Sequence, residues 1–258
     1  FFFKQKTAYE IPKRDWSSDV CSSDLEFHGR KVFVDTRNVE YGYAFLKRTF
    51  DAASDRAVWN DLDRDYGFSY AVVWYGPFAN GPALPYIVHL EADPKWALVY
   101  ADDRSAVYLK KTPDNLATIA RHQYFLVKPL DLYSSGVLQR TPRAQLAQLE
   151  QELIRLAAAD ANSIQARLLL AQIYIQVYRH DDALTQIRAG MATEPRSYRP
   201  HELMAALLVK QEKWADAGRE LETAMDLAGG TGGNYGYLAD VFEKAGDHAK
   251  AAQYRGMR

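Results

Sequence analysis

From residue 164 onward the chain repeats itself every 34 residues. Ala171, Ala205 and Ala239 stand one period apart, and so do Ala183, Ala217 and Ala251. Two sets of larger apolar residues keep the same phase: Leu170, Met204 and Leu238, and Tyr174, Leu208 and Phe242. Small residues let two helices approach closely. A large apolar residue three positions after the first alanine fills the gap to the next unit. A unit of this size cannot bury its apolar face alone, so successive units must stack.

These residues resemble the tetratricopeptide repeat, whose unit is two antiparallel helices. The units run 164–197, 198–231 and 232–258. Pro195 closes the first, as the family pattern has it, and Gly229 stands at that place in the second. Before them, 141–159 reads as a helix with Thr141 as its cap, Pro142 in its first turn and a stripe of Leu146, Leu149, Leu153 and Leu156. It is expected to pack on the first repeat. The resemblance implies a concave groove lined by the first helix of each pair. Carried onto this sequence, its exposed positions are Gln172, Gln176, Glu202, Lys210, Asp240, Glu243 and Lys244. The partner it implies is a protein or peptide. The bland alternative is a solvated helix face.

Residues 26–122 read as a small α/β domain with a mixed sheet and a closing hairpin. Lys31–Thr36 is an apolar strand. Tyr43–Ala53 is a helix expected to bury Phe45, Leu46, Thr49 and Phe50, and Ala57–Tyr66 is a helix expected to bury Val58, Leu62 and Tyr66. Ser69–Tyr75 is a second strand. Leu84–Ala92 is a short helix stopped by Asp93-Pro94, and Trp96–Tyr100 and Ser105–Leu109 flank the turn Ala101–Arg104. Residues 123–140 are the expected linker. The fold class is thus a small α/β domain followed by an all-α repeat solenoid.

The α/β stretch resembles the soluble segment after the last spanning helix of certain bacterial multi-pass membrane proteins, some glycosyltransferase-like. The matching residues are Val32–Arg37, Tyr41-Gly42, Tyr66-Gly67, Asp93–Trp96 and Val99–Asp103, with Thr36 where the family more often has Gly. The resemblance implies an extracytoplasmic C-terminal part of a membrane-bound parent, with a cytoplasmic placement as alternative. Residues 1–25 resemble something else: Lys4–Ile11 and Asp15–Leu25 look like the translation of a sequencing-library adapter, with Pro12–Arg14 in its index. That implies a disordered artefact fused at Glu26 and a missing upstream coding sequence.

Composition narrows the function classes. The formal charge is −1, from 32 Lys+Arg against 33 Asp+Glu, which is too neutral for a nucleic-acid binder with a basic face. The lone Cys21 falls in the adapter-like segment, so no disulfide framework exists within the chain. The longest uncharged run, Phe68–Val88, is interrupted by Gly76, Pro77, Gly81, Pro82 and Pro85 and reads as a strand and loop. Asp61-Leu62-Asp63 has the spacing of a metal-binding carboxylate pair, but on a helix the two point apart. Asp35 and Arg37 share one side of the first strand, as a salt bridge or a polar site. The glycine run Gly229–Gly233 follows a helix and lacks a Lys-Ser/Thr, so it is a connection rather than a phosphate loop. The six histidines show no metal-ligand spacing, and no serine sits in G-x-S-x-G. The sequence therefore points to no cofactor, no metal and no catalysis within 26–258, and to an interaction scaffold. The alternative is the accessory domain of a membrane glycosyltransferase whose chemistry lies upstream.

Overall fold

A computed structural model describes residues 2–3, 42–75, 85–132, 136–229 and 234–257. The chain divides into two units, 1–131 and 132–258.

In the first unit, α1 (Tyr43–Ser54) and α2 (Arg56–Tyr66) are separated by Asp55. Its carboxylate caps α2 by accepting from the N–H groups of Ala57 at 2.8 Å and Val58 at 3.3 Å. Gly67 ends α2 in the left-handed conformation. Strand β2 (Tyr70–Trp74) follows, then α3 (Pro85–Ala92), and then the hairpin of β3 (Trp96–Ala101) and β4 (Ser105–Lys110). The hairpin turns on Asp102, whose Oδ1 accepts from the Arg104 and Ser105 amides at 2.7 Å each. A helical turn (Pro113–Asn115) leads into α4 (Leu116–His122).

The strand order is β1-β2-β4-β3, and every pairing is antiparallel. The expected mixed character of the sheet turned on Lys31–Thr36 and is not decided by the described strands. Strand β4 inserts between β2 and β3, so the two strands that run the same way never touch. Lys31–Thr36, the strand expected to open the domain, lies outside the described residues. Strand β1 is Phe2–Phe3, opposite Val72 and Ala71 on the outer edge of β2. These two residues were expected to stay outside the fold with the rest of 1–25. The reason for the difference is the edge itself, whose unpaired backbone groups accept any extended apolar segment.

The core of this unit gathers on Trp59. Phe68 stacks on it at 5.6 Å, Tyr86 meets it edge-on at 5.6 Å, and His89 and Trp96 lie at 6.4 and 6.3 Å. One helix expectation needs correction. Phe50 is 69% exposed, because the inward stripe of α1 runs through Thr49 and Ala52, both buried, and Phe50 sits one position further round.

The second unit is all helical: α5 (Gly136–Arg140), α6 (Leu146–Ala159), α7 (Ile164–Gln176), α8 (His180–Thr193), α9 (Arg199–Lys210), α10 (Trp214–Leu227), α11 (Tyr235–Lys244) and α12 (His248–Arg255). Helices pack pairwise as α7–α8, α9–α10 and α11–α12, and each pair packs on the next. The six in-phase alanines are all fully buried.

The backbone repeats as faithfully as the side chains. Arg179, Lys213 and Asp247 each donate to the carbonyl five residues back, on Tyr174, Leu208 and Phe242, at 2.8, 2.9 and 2.9 Å. The residue before each donor is left-handed: Tyr178, Glu212 and Gly246 have φ of 60°, 59° and 80°. This is the same helix-ending turn three times, with glycine only in the last copy.

The period also reaches further back than the sequence indicated. Leu149, Leu153 and Leu156 of α6 are buried and lie one period before Ala183, Ile187 and Gly190 of α8. The Ser163 and Ser197 amides donate to Asp160 and Glu194 at 3.0 Å in matching turns. Helix α6 is therefore the second helix of a degenerate earlier unit, and the short α5 stands where its first helix belongs. Residues 123–140 are accordingly no simple linker. Tyr124 donates to Leu98 at 2.9 Å in the first unit, and Val137 is buried in the second. Thr141 does not cap α6, because its hydroxyl donates to the Val137 carbonyl at 2.6 Å and ends α5.

Three substitutions test this packing by thermal unfolding. Glu212→Gly relieves a left-handed non-glycine residue and is expected to stabilise the repeats by about 1 kcal/mol. Gly190→Ala places a Cβ in ordinary contact with Pro200 and Ile164, at 3.6 and 3.7 Å, inside a helix; a gain of about 0.5–1 kcal/mol is expected. Gly218→Ala should go the other way, because its Cβ would lie 2.6 Å from the buried Phe242 ring; overpacking of this kind costs about 1–3 kcal/mol.

Candidate partner-binding surface

The first helices of the first two repeats, α7 and α9, lie side by side, and α11 packs on α10. The seven polar positions assigned to their groove face separate into three kinds. Gln172 is half-buried, while Gln176 and Glu202 are exposed, and none of the three side chains makes a hydrogen bond or ion pair within the described residues. Partial burial pushes the Glu202 carboxyl up from the ordinary value, opposed by the charge of Arg199.

Lys210 and Lys244, one period apart, are set over aromatic rings. The Lys210 Nζ is 6.0 Å from the Tyr178 ring, and the Lys244 Nζ is 4.3 Å from the Trp214 ring. In each case the ring belongs to the preceding repeat, so the lysine also ties two repeats together. Asp240 and Glu243 form the third kind. Arg255 of α12 reaches Asp240 at 3.7 Å and Glu243 at 3.1 Å, and His248 Nδ1 lies 2.9 Å from Glu243. The His248 hydrogen bond, helped by Arg255, holds the Glu243 carboxyl below the usual range. These two carboxylates are engaged within their own helix pair and do not join the other groove positions.

Helix α6 packs on the first repeat as expected, but sequence reasoning missed the polar contacts of that joint. Glu150 accepts from the Tyr174 hydroxyl at 3.1 Å and from Arg179 at 2.7 Å, and the Arg179 guanidinium lies over the Tyr174 ring at 4.3 Å. Burial, and then Glu150, push the Tyr174 phenol up to about 12. A fourth unit in phase would have revealed this joint, but α6 has leucine where the later repeats have alanine.

In the first unit, Asp35 and Arg37 lie outside the described residues. Asp61 pairs with Arg64 at 2.7 Å and Asp63 with Lys110 at 2.7 Å, while Leu62 between them is buried. The two carboxylates serve different partners. Among the described residues no three His, Cys, Asp or Glu are grouped to hold a metal, and no helix is long and apolar enough to cross a membrane.

No protein-family model matches the chain, and no curated protein does. Among solved structures, a crystal structure of MamA is 17% identical, with a TM-score of 0.39 over 51% of this chain and 71% of that one. MamA from residue 41 to its end, from Desulfovibrio magneticus RS-1, is 19% identical, with a TM-score of 0.40 over 56% and 80%. Similarity this low carries no functional argument. The class rests on the chain's own period and turns, which define a helical-repeat solenoid.

The buried titratable group of the first unit gives a pH prediction. His89 is 8% exposed, and among the described residues its Nε2 has no hydrogen-bond partner. Burial, reinforced by Arg56, lowers its pKa against the pull of the Ala53 and Ala52 carbonyls. The folded form thus resists a proton that the unfolded chain accepts. Stability should be level above about pH 6.5, the ordinary imidazole value, and fall as pH drops below it. Urea titrations of wild type and His89→Phe should show that slope flattened in the variant.

Proposed function

We propose that the helical repeats form a protein-interaction module that takes an extended segment of a partner across Gln172, Gln176, Glu202 and Lys210. The observation that carries this reading is the contrast within the groove face. Among the described residues, the side chains of Gln172, Gln176 and Glu202 make no hydrogen bond or ion pair, and Lys210 meets a ring, whereas Asp240 and Glu243 are committed to Arg255. Glu202 and Lys210 stand eight residues apart on one helix, a rise of about 12 Å. An extended chain covers that distance in about four residues. The partner that fits carries a base opposite Glu202 and an acid about four residues away, opposite Lys210. Its base would offset the desolvation that raises the Glu202 pKa.

Selection of peptides from a displayed random library tests this. Binders should show the base-and-acid spacing. Glu202→Lys or Lys210→Glu should weaken them about tenfold or more, a loss of about 1.4 kcal/mol, while Asp240→Ala leaves them unchanged. Binders indifferent to both charge reversals would count against the groove.

For the setting, we propose a membrane-bound bacterial parent with this part on the extracytoplasmic side, and an adapter origin for 1–25. The resemblance over Val32–Arg37 and Asp93–Trp96 supports the first, and that of Lys4–Ile11 and Asp15–Leu25 supports the second. The glycosyltransferase alternative puts all chemistry upstream. Long-read sequencing across the Glu26 codon decides among these: apolar stretches of about 20 residues upstream are expected, and a start codon directly before it would overturn the membrane-bound parent.

A further inference from the structure

The turn that ends the first helix of each repeat is built three times on one backbone with three different pairs of residues. Val177-Tyr178, Gln211-Glu212 and Ala245-Gly246 stand one period apart, and the second residue of each pair is left-handed, with φ of 60°, 59° and 80°. A polar pair makes this turn in the second repeat and a small pair in the third. The fold therefore has no need of the apolar pair in the first. Nor does that pair pack: Val177 is 45% exposed and Tyr178 69% exposed. A ring held in water at a left-handed position gives up backbone energy and takes little burial in return. Strain kept at such a position points to a use outside the fold.

What the ring touches adds to this. The Lys210 Nζ lies 6.0 Å from its centre, and the His180 ring lies tilted at 6.0 Å. Lys210 makes no ion pair among the described residues. We propose that Tyr178 is an anchor at the Lys210 end of the interaction surface: Lys210 takes the partner's acid, and the exposed Tyr178 ring takes an apolar side chain just beyond that acid. The anchor rests on the proposed groove, in which the partner's acid stands opposite Lys210. Side chains on one face of an extended chain recur every second residue, an advance of about 6.6 Å. That advance matches the 6.0 Å from the Lys210 Nζ to the ring. The partner that fits thus carries an apolar residue two positions beyond its acid. The attraction of an ammonium for a ring strengthens as water leaves, so a partner that covers Tyr178 also tightens the hold on its own acid.

The test separates binding from folding. Peptides selected on the full chain are titrated against wild type, Tyr178→Phe, Tyr178→Asn and Tyr178→Gly, and melting temperatures are read on the same samples. Asn and Gly both accept the left-handed backbone and both remove the ring. Asn, the stiffer of the two, guards against a slack turn as the cause of any loss. Both variants should melt no lower than wild type and bind about tenfold more weakly or worse, as loss of an aromatic anchor does. Tyr178→Phe should bind as wild type does. Alanine in place of the peptide's apolar residue should cost wild type a similar factor and cost Tyr178→Gly nothing, because the two changes remove one contact. Peptides that need Lys210 yet bind the Asn and Gly variants as tightly as wild type overturn the anchor and leave the groove standing. Peptides indifferent to Lys210→Glu overturn both. Asn and Gly variants that melt well below wild type mark the ring as packing and overturn the anchor as well.

Discussion

The close approach of paired helices at buried alanines is the constraint on which the repeats depend. Ala171 and Ala183, and their counterparts one and two periods on, are all fully buried. With no side chain beyond Cβ, the backbones of α7 and α8 come together, and the bulky Tyr174 or Phe242 can reach across to a neighbouring helix. The same closeness fixes the turn between the helices. The chain must reverse within a few residues, and it does so each time by one left-handed residue and a bond back to the fifth carbonyl. Gly246 adopts that conformation without strain. Tyr178 and Glu212 hold it because the helices on either side leave no other path, at a cost on the order of 1 kcal/mol each.

The first unit is organised differently. Its residues do not repeat, so one large side chain does what periodicity does elsewhere. Trp59 touches residues from β2's approach, α3 and β3, and a ring of that size buried among four other rings contributes several kcal/mol. His89 is one of those rings, which ties the packing of this unit to a titratable group.

What could be read in the sequence follows from this difference. The repeat helices were legible because their buried positions recur, and three copies of one pattern correct each other. The hairpin around Asp102 and the stop at Gly67 were legible because turn chemistry is local. The outward face of Phe50 was not, since a twelve-residue helix with apolar residues on two sides gives no unique stripe. Nor was the order of the described strands, with β4 between β2 and β3, because strand neighbours are set by long-range pairing that leaves no mark within a strand. The fourth unit was hidden by its leucines. Leu149 and Leu153 keep the phase but not the residue type, and both are buried where α6 packs on α7.

The groove was legible only as a set of positions, and the reason bears on how function is written into a repeat. Positions that hold helices together must stay alike in every copy, so the period erases information there. Positions facing outward are free to differ, and they do. One period apart stand Leu168, buried, then Glu202, exposed. Gln176, Lys210 and Lys244 occupy another such position, and Gln172, Ala206 and Asp240 a third. The scaffold comes from what the repeats share, and a partner of the kind proposed would be recognised by where they disagree. The same reasoning separates Asp240 from Glu202. Both depart from the pattern, but Asp240 does so together with Glu243 and Arg255, and three coordinated departures answer one another across a helix pair. Glu202 departs alone, with no ion pair to answer it among the described residues, and is available to a partner of the kind proposed.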